Sequence, residues 1–168
     1  MNGITIRPIQ PPDISAILEI QSSSKEAAQW SRGVYEKLLG ALASERAWVF
    51  EGDGTVIGFI VTRQAANELE ILNLAVGEAA RRQGIGTALL QHVFSHANAH
   101  SVHKVFLEVR ASNSAAQSFY EVHGFTIAGR RPSYYTSPVE DALLLTRSFS
   151  ELSGKINCNP VLASRPKL

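Results

Sequence analysis

Apolar and polar residues alternate along this chain in runs that switch between a period of two, as in strands, and a period of 3.6, as in helices. Ile4 and Ile6 alternate with polar neighbours up to Pro8, which predicts a short edge strand ending at a proline. Ile14, Ile17, Leu18 and Gln21 then fall at helical spacing behind Asp13, a residue type that caps helix N-termini. Residues 30–42 predict a second helix, with Val34, Leu38 and Leu42 on one face and Ser31 as its cap. Ala47-Trp48-Val49-Phe50 predicts an apolar strand, Gly52-Asp53-Gly54 a tight turn, and residues 56–62 the returning partner. Residues 69–76 predict the next strand. Residues 85–99 predict a helix with Ile85, Leu89 and Val93 inward, and residues 105–109 a buried strand. Ser114-x-x-Gln117 has capping-box form and opens a helix to His123, with Gly124 placed for its C-terminal cap. Residues 125–128 and 142–146 predict two last strands. The order is strand, two helices, three strands, helix, strand, helix, two strands, which makes an α/β protein with a mixed sheet covered by helices.

Composition narrows the class of protein. The 168 residues suit one domain with one core, taken as residues 1–149. The polar, patternless stretch 150–168 reads as a C-terminal tail or irregular extension. Hydrophobic residues make up 45% and charged residues 18%, the balance of an ordinary globular chain. A net charge of +1 gives no broad electrostatic case for nucleic acid or a membrane surface. No apolar run approaches the ~18 residues of a membrane span, and the first residues lack the basic-then-apolar pattern of a signal peptide. The single cysteine, Cys158, has no internal disulfide partner and fits a reducing compartment. The expectation is a cytoplasmic protein, a monomer or a weak dimer.

One string carries the most chemistry: I-L-N-L-A-V-G-E-A-A-R-R-Q-G-I-G-T-A-L-L, ending at Leu90. A strand pattern runs into a basic turn spaced Arg81-x-x-Gly84-x-Gly86, and an amphipathic helix follows at once. Such a turn aims backbone N–H groups at one point, at the positive end of a helix dipole, which suits a pyrophosphate. A Cβ at the glycines would hold phosphates away from the backbone. The spacing lacks the third glycine of a dinucleotide fingerprint and the Gly-Lys-Ser/Thr of a P-loop. Taken alone, it is also compatible with a plain strand-to-helix turn bearing surface arginines.

This turn resembles the acyl-CoA loop of the GNAT superfamily of N-acetyltransferases. The resemblance sharpens at L-E-V-R-x-S-N (Leu107 to Asn113), x-Y-E-x-x-G-F (Phe119 to Phe125), Arg130-Arg131-Pro132-Ser133-Tyr134-Tyr135 and Glu140-Asp141-Ala142. Together these blocks are similar to the RimI-type branch, the bacterial ribosomal-protein alanine N-acetyltransferases and relatives that acetylate other protein N-termini. The likeness covers roughly residues 4–147. It implies the GNAT fold, a central, mostly antiparallel sheet of about seven strands flanked by about four helices. It implies acetyl-CoA as cosubstrate and no metal. The acceptor it implies is the α-amine of a protein N-terminus, with an N-terminal alanine of a ribosomal protein the best guess. A small amine as acceptor is the alternative, and a non-catalytic CoA-binding or partner-binding module a more distant one.

By the same resemblance Glu108 is the proton acceptor, through water, and Tyr120 the proton donor to the CoA sulfur. The α-amine has an ordinary pKa of about 7.7–8.0, so a useful fraction is neutral at physiological pH. A tyrosine near 10 lies above a thiol near 8.5, so full transfer from Tyr120 is uphill by about 2 kcal/mol and a hydrogen bond to the thiolate is the lesser demand. Leu74, Ala75 and Val76 are implied to hold the pantetheine arm through their backbones. Arg82, Gln83, Gly84, Ile85, Gly86 and Thr87 are implied to cradle the pyrophosphate, and Asn113 to bind the cofactor near the pantetheine. Tyr134 and Tyr135, expected in the loop between the last two strands, are implied to line the substrate groove. Glu70, on the strand before the loop, is a rival base or a second carboxylate orienting water. As bare residue types, Glu108 also reads as a strand carboxylate paired with Arg110, Tyr120 as a core aromatic, and Asn113 as a helix N-cap. His92, His96 and His100 fall at i, i+4 and i+8, a spacing that can bind zinc, but without a cysteine or acidic partner they read as a solvated helix face.

Overall fold

The computed structural model describes residues 3–40 and 44–149. Seven strands form one sheet: β1 (Thr5–Pro8), β2 (Glu45–Gly52), β3 (Thr55–Ala65), β4 (Glu68–Val76), β5 (Lys104–Arg110), β6 (Thr126–Thr136) and β7 (Val139–Ser148). Their spatial order is β1-β2-β3-β4-β5-β7-β6. Every neighbouring pair is antiparallel except β4 and β5, which run parallel. Four helices flank it: α1 (Asp13–Ser22), α2 (Arg32–Leu39), α3 (Ile85–Ala99) and α4 (Ser114–Val122). This is the mixed sheet that the periodicities predict. Among the described residues, no helix is long and apolar enough to cross a membrane.

Strand alternation divides the core between the two faces of the sheet. Trp48 and Phe50 join the α3 stripe of Ile85, Leu89, Leu90, Val93, Phe94 and Ala97 on one face. Ala47 and Val49, their alternates, pack with Ile14, Ile17, Ile20 and Tyr35 of α1 and α2 on the other.

Several local expectations are corrected. Asp13 is the first residue of α1 and not its cap; Pro12 stands at that position with no side-chain cap bond. The Asp13 carboxylate accepts from Arg7 Nη1 at 2.7 Å and from the Gln10 N–H at 2.7 Å. Helix α2 is shorter than 30–42, and Leu42 lies outside the described residues. Its fully buried residue is Tyr35; Leu38 packs partly buried against the same core, as expected, whereas Val34 is exposed. The spacing of apolar residues misplaced that face because the tyrosine supplies the inward bulk. Asn113, not Ser114, caps α4: its Oδ1 accepts from the Ala116 N–H at 3.0 Å. Gln117 therefore does not complete a capping box; its amide donates to the carbonyls of Arg110 and Ala111.

Gly124 ends α4 as expected. At φ +83° it lets its own N–H reach the Glu121 carbonyl and the Phe125 N–H reach that of Tyr120, the paired bonds of a Schellman turn. The last two strands are longer than predicted, so Tyr134 and Tyr135 sit on β6 and not in a loop. The tail expected after Ser150 lies outside the described residues.

Candidate active site

The site exists because β4 and β5 part company. Their parallel pairing covers Glu68 to Ile71 against Lys104 to Leu107 and stops there. On the β3 side, Thr62 pairs with Ile71 and Val61 with Asn73, leaving Leu72 as one extra residue. This bulge turns β4 away from β5 and reverses which side chains face which core. Leu69 and Ile71 belong to the α3 face, Ala75 to the α1 face. Beyond the bulge β4 has β3 on one flank only, and a cleft of about 950 Å³ opens on the other. Leu74, Ala75 and Val76 line it, along an edge that no strand pairs and where the Val76 carbonyl accepts from Arg81 Nε at 3.3 Å.

At one end of the cleft stands the start of α3. Arg82 (φ +58°) and Gly84 (φ +82°) both take the left-handed backbone that turns the chain into the helix. The first helical bond runs from the Ala88 N–H to the Gly84 carbonyl, so the N–H groups of Ile85, Gly86 and Thr87 have no partner within the helix. Arg82, Gly84, Ile85, Gly86 and Thr87 all line the cleft. Gln83 does not; its side chain folds back onto the Ala79 carbonyl at 3.0 Å. The two glycines serve different ends. Space around Gly84 is open, whereas a Cβ on Gly86 would stand 3.4 Å from the ring of Phe119 on α4. Arg81 also lines the cleft and ties the loop to its surroundings, its Nε donating to the Val76 carbonyl at 3.3 Å and its Nη2 to the Ser23 carbonyl and the Ser24 hydroxyl.

Glu108 and Tyr120 reach the same cleft from different elements. Leu107 and Val109 enter the α3-face core, so Glu108 between them faces the opposite side of the sheet. Arg131 Nε lies 2.7 Å from its Oε1, and Tyr134 lies near the same carboxylate, which holds the Tyr134 hydroxyl above its ordinary range. Arg110, the neighbour expected beside Glu108, instead pairs with Glu140 at 3.2 Å and lies over the Tyr135 ring at 4.1 Å. Tyr120 is buried against Phe119 and Phe125, with ring centroids 5.1 and 5.3 Å away. Burial pushes its hydroxyl well above the usual tyrosine range. Among the described residues that hydroxyl has no hydrogen-bond partner, and it belongs to the cleft wall. Asn113, besides capping α4, lines the cleft.

The remaining residues divide. Tyr135 lines the cleft, while Tyr134 is 48% exposed at its margin above Glu108. Glu70 is not part of the wall; Arg63 holds its carboxylate at 2.6 Å. His92 and His96 of α3 are half-buried and not a solvated face, whereas His100, the C-cap residue, is exposed. His92 and His96 each lie 5.3 Å from the Trp48 ring, and His96 stacks on His100 at 3.9 Å. Among the described residues, no group of three or more His, Cys, Asp or Glu side chains is arranged to hold a metal ion.

Sequence reasoning missed the roof of the cleft, residues 24–29 between α1 and α2. Buried polar groups hang this loop in place. Gln21 donates to the Trp30 carbonyl at 2.6 Å and accepts from the Tyr35 hydroxyl at 2.7 Å. Asn73 on β4 donates to the Ala28 carbonyl at 3.0 Å. The signal available in the sequence was Asn73 itself, an amide inside an apolar strand that requires a partner.

Comparison with known proteins agrees with this geometry. The family model described as acetyltransferase (GNAT) family matches residues 14–125. The chain is 34% identical over 150 residues to the ribosomal protein bS18-alanine N-acetyltransferase of Escherichia coli (strain K12), covering 87% of this chain and 98% of that protein. The crystal structure of the ribosomal-protein-S18-alanine N-acetyltransferase from Escherichia coli superposes with a TM-score of 0.78 at 30% identity, covering 93% of this chain and 99% of that one. Ard1 from Thermoplasma volcanium superposes with a TM-score of 0.80 at 32% identity, covering 88% and 99%. With the splayed strands and the open helix N-terminus between them, these likenesses establish that the chain belongs to the GNAT family and is an acetyltransferase, similar to the RimI-type enzymes.

Proposed function

We propose that this enzyme transfers the acetyl group of acetyl-CoA directly to the α-amine of a protein N-terminus, with an alanine-starting ribosomal protein as the leading acceptor. The observation that carries the reading is the single cleft shared by Glu108, Tyr120 and the start of α3. The cofactor diphosphate is placed at the free amides of Ile85, Gly86 and Thr87, where a helix N-terminus favours anions. Its pantetheine arm lies along Leu74, Ala75 and Val76, whose open edge accepts an extended chain as a strand would. The amine loses its proton to Glu108 through water as nitrogen bonds to the thioester carbon. The C–S bond breaks, and the departing sulfur receives a hydrogen bond or proton from Tyr120. Tyr135 and residues 24–29 border the approach of the acceptor. The acceptor class is supported by the relatives from Escherichia coli, which are ribosomal-protein-alanine N-acetyltransferases.

The test is release of free thiol from acetyl-CoA with peptides beginning Ala or Ser set against a panel of small amines. Release with the peptides is expected. Release only with small amines would move the acceptor to that class while leaving the enzyme assignment intact.

A further inference from the structure

Strand β6 carries an irregularity that the catalytic reading leaves unused. Arg131 pairs with Ala142, and Tyr135 with Glu140. Three residues, Pro132, Ser133 and Tyr134, thus stand opposite the single Asp141. Ser133 takes a left-handed backbone, φ +51°, which a residue with a Cβ adopts only when its surroundings impose it. The surroundings here are one carboxylate. Asp141 Oδ1 accepts from the Ser133 N–H at 2.8 Å, and Oδ2 accepts from Arg130 Nε at 2.6 Å. The Asp141 carbonyl also accepts from the Ala111 N–H at 3.0 Å, joining the bulge to the end of β5. These donors hold the Asp141 carboxyl below its ordinary range, Ser133 first and Arg130 next.

Arg131 and Tyr134 stand on either side of the clamped residues, and both end on Glu108. A regular β6 would send alternate side chains to opposite faces. The bulge instead lets two side chains three positions apart meet one carboxylate. We propose that Asp141 is a positioning residue for acetyl transfer: by clamping the β6 bulge, it brings Arg131 and Tyr134 onto Glu108 and so orients that carboxylate toward the acceptor amine. The proposal rests on the reading of Glu108 as the proton acceptor. Asp141 itself touches neither the cleft wall nor the reacting atoms.

The test is steady-state kinetics with an Ala-starting peptide and acetyl-CoA, on Asp141→Ala and Asp141→Asn. Both variants are made in the native chain and in a chain carrying Arg131→Ala and Tyr134→Phe. Asp141→Ala in the native chain is expected to lower kcat/KM for the peptide by about 10- to 100-fold, the cost of a misaligned catalytic group, with the KM of acetyl-CoA changed less than about twofold. Asp141→Asn keeps an oxygen for the Ser133 N–H and is expected to recover most of the rate. Without Arg131 and Tyr134, the change at Asp141 is expected to cost less than about twofold, because sites acting through one another are not additive. A full loss in that background overturns the proposal, as does an unchanged rate in the native chain. Glu108→Gln separates the two readings. If it is as fast as the native chain, the base assignment itself falls. If it is slow while Asp141→Ala is native-like, only the clamp falls.

Discussion

Glu108 and Tyr120 differ in what surrounds them, and their variants should fail differently. Glu108 is engaged by Arg131 and Tyr134 at the cleft margin, whereas the Tyr120 hydroxyl is unpartnered among the described residues and set in aromatic packing. Glu108→Gln should lower kcat/KM at neutral pH by roughly 10²- to 10⁴-fold, with partial recovery at high pH where more of the amine is already neutral. A pH series of initial rates checks this. Tyr120→Phe should lower kcat while acetyl-CoA affinity, read by calorimetry, stays within a few-fold. An unchanged kcat would reduce Tyr120 to packing. Both residues were legible in the sequence because each sits in a short motif, L-E-V-R and Y-E-x-x-G-F. Their partners were not. Arg131 reaches Glu108 only through the sheet order β5-β7-β6 and a bulge in β6, neither of which local spacing encodes.

At the level of the element, α3 does two jobs. Its N-terminus opens on the cleft, and its middle packs two histidines, His92 and His96, against Trp48 of β2. Burial lowers the pKa of His96 to about 4, helped by the charges of His100, Arg46 and His92. Burial lowers that of His92 as well. The His96 Nε2 is buried without a hydrogen-bond partner, so protonation would place a charge there with nothing to receive it. A histidine whose folded pKa is depressed takes up its proton more readily when unfolded. Its stabilising contribution is present above about 6.5 and is lost as the pH falls toward 4. Melting temperature should therefore drop between pH 7.5 and pH 5. His96→Gln should flatten that drop by a few degrees, roughly 2–5 °C. Parallel slopes for native and variant chains would remove His96 from the account. The helix itself was legible from its apolar stripe. The histidines were misjudged because their spacing is the same whether water or Trp48 faces them.

Across the described residues, two cores are separated by one sheet, with the cleft at its parallel pair, β4 and β5. The roof over the cleft belongs to the α1–α2 side and hangs from the Gln21–Tyr35–Asn73 network. Tyr35→Phe deletes the hydroxyl that donates to Gln21 and should destabilise the protein by about 1–3 kcal/mol, since a buried amide loses its partner. Differential scanning fluorimetry should show the loss. Peptide KM should rise while acetyl-CoA KM holds, because the roof borders the acceptor side. Equal changes in both constants would make the network purely structural. Fold class and the succession of strands and helices along the chain were legible from the alternation of periods, though not the spatial order of the strands. The cleft was not, because it arises from a one-residue slip at Leu72, and a run of apolar residues reads the same with or without such a slip.

That slip also ties stability to occupancy. An interior strand ordinarily spends its main-chain groups on both neighbours; past Ile71, β4 has a strand neighbour on one side alone, in the middle of the molecule. The folded chain is therefore one seam short of a finished sheet, and under the proposed function the thread that closes the seam is supplied from outside and withdrawn at each turnover. Saturating acetyl-CoA should raise the unfolding temperature, since any ligand held only by the native state adds to its stability.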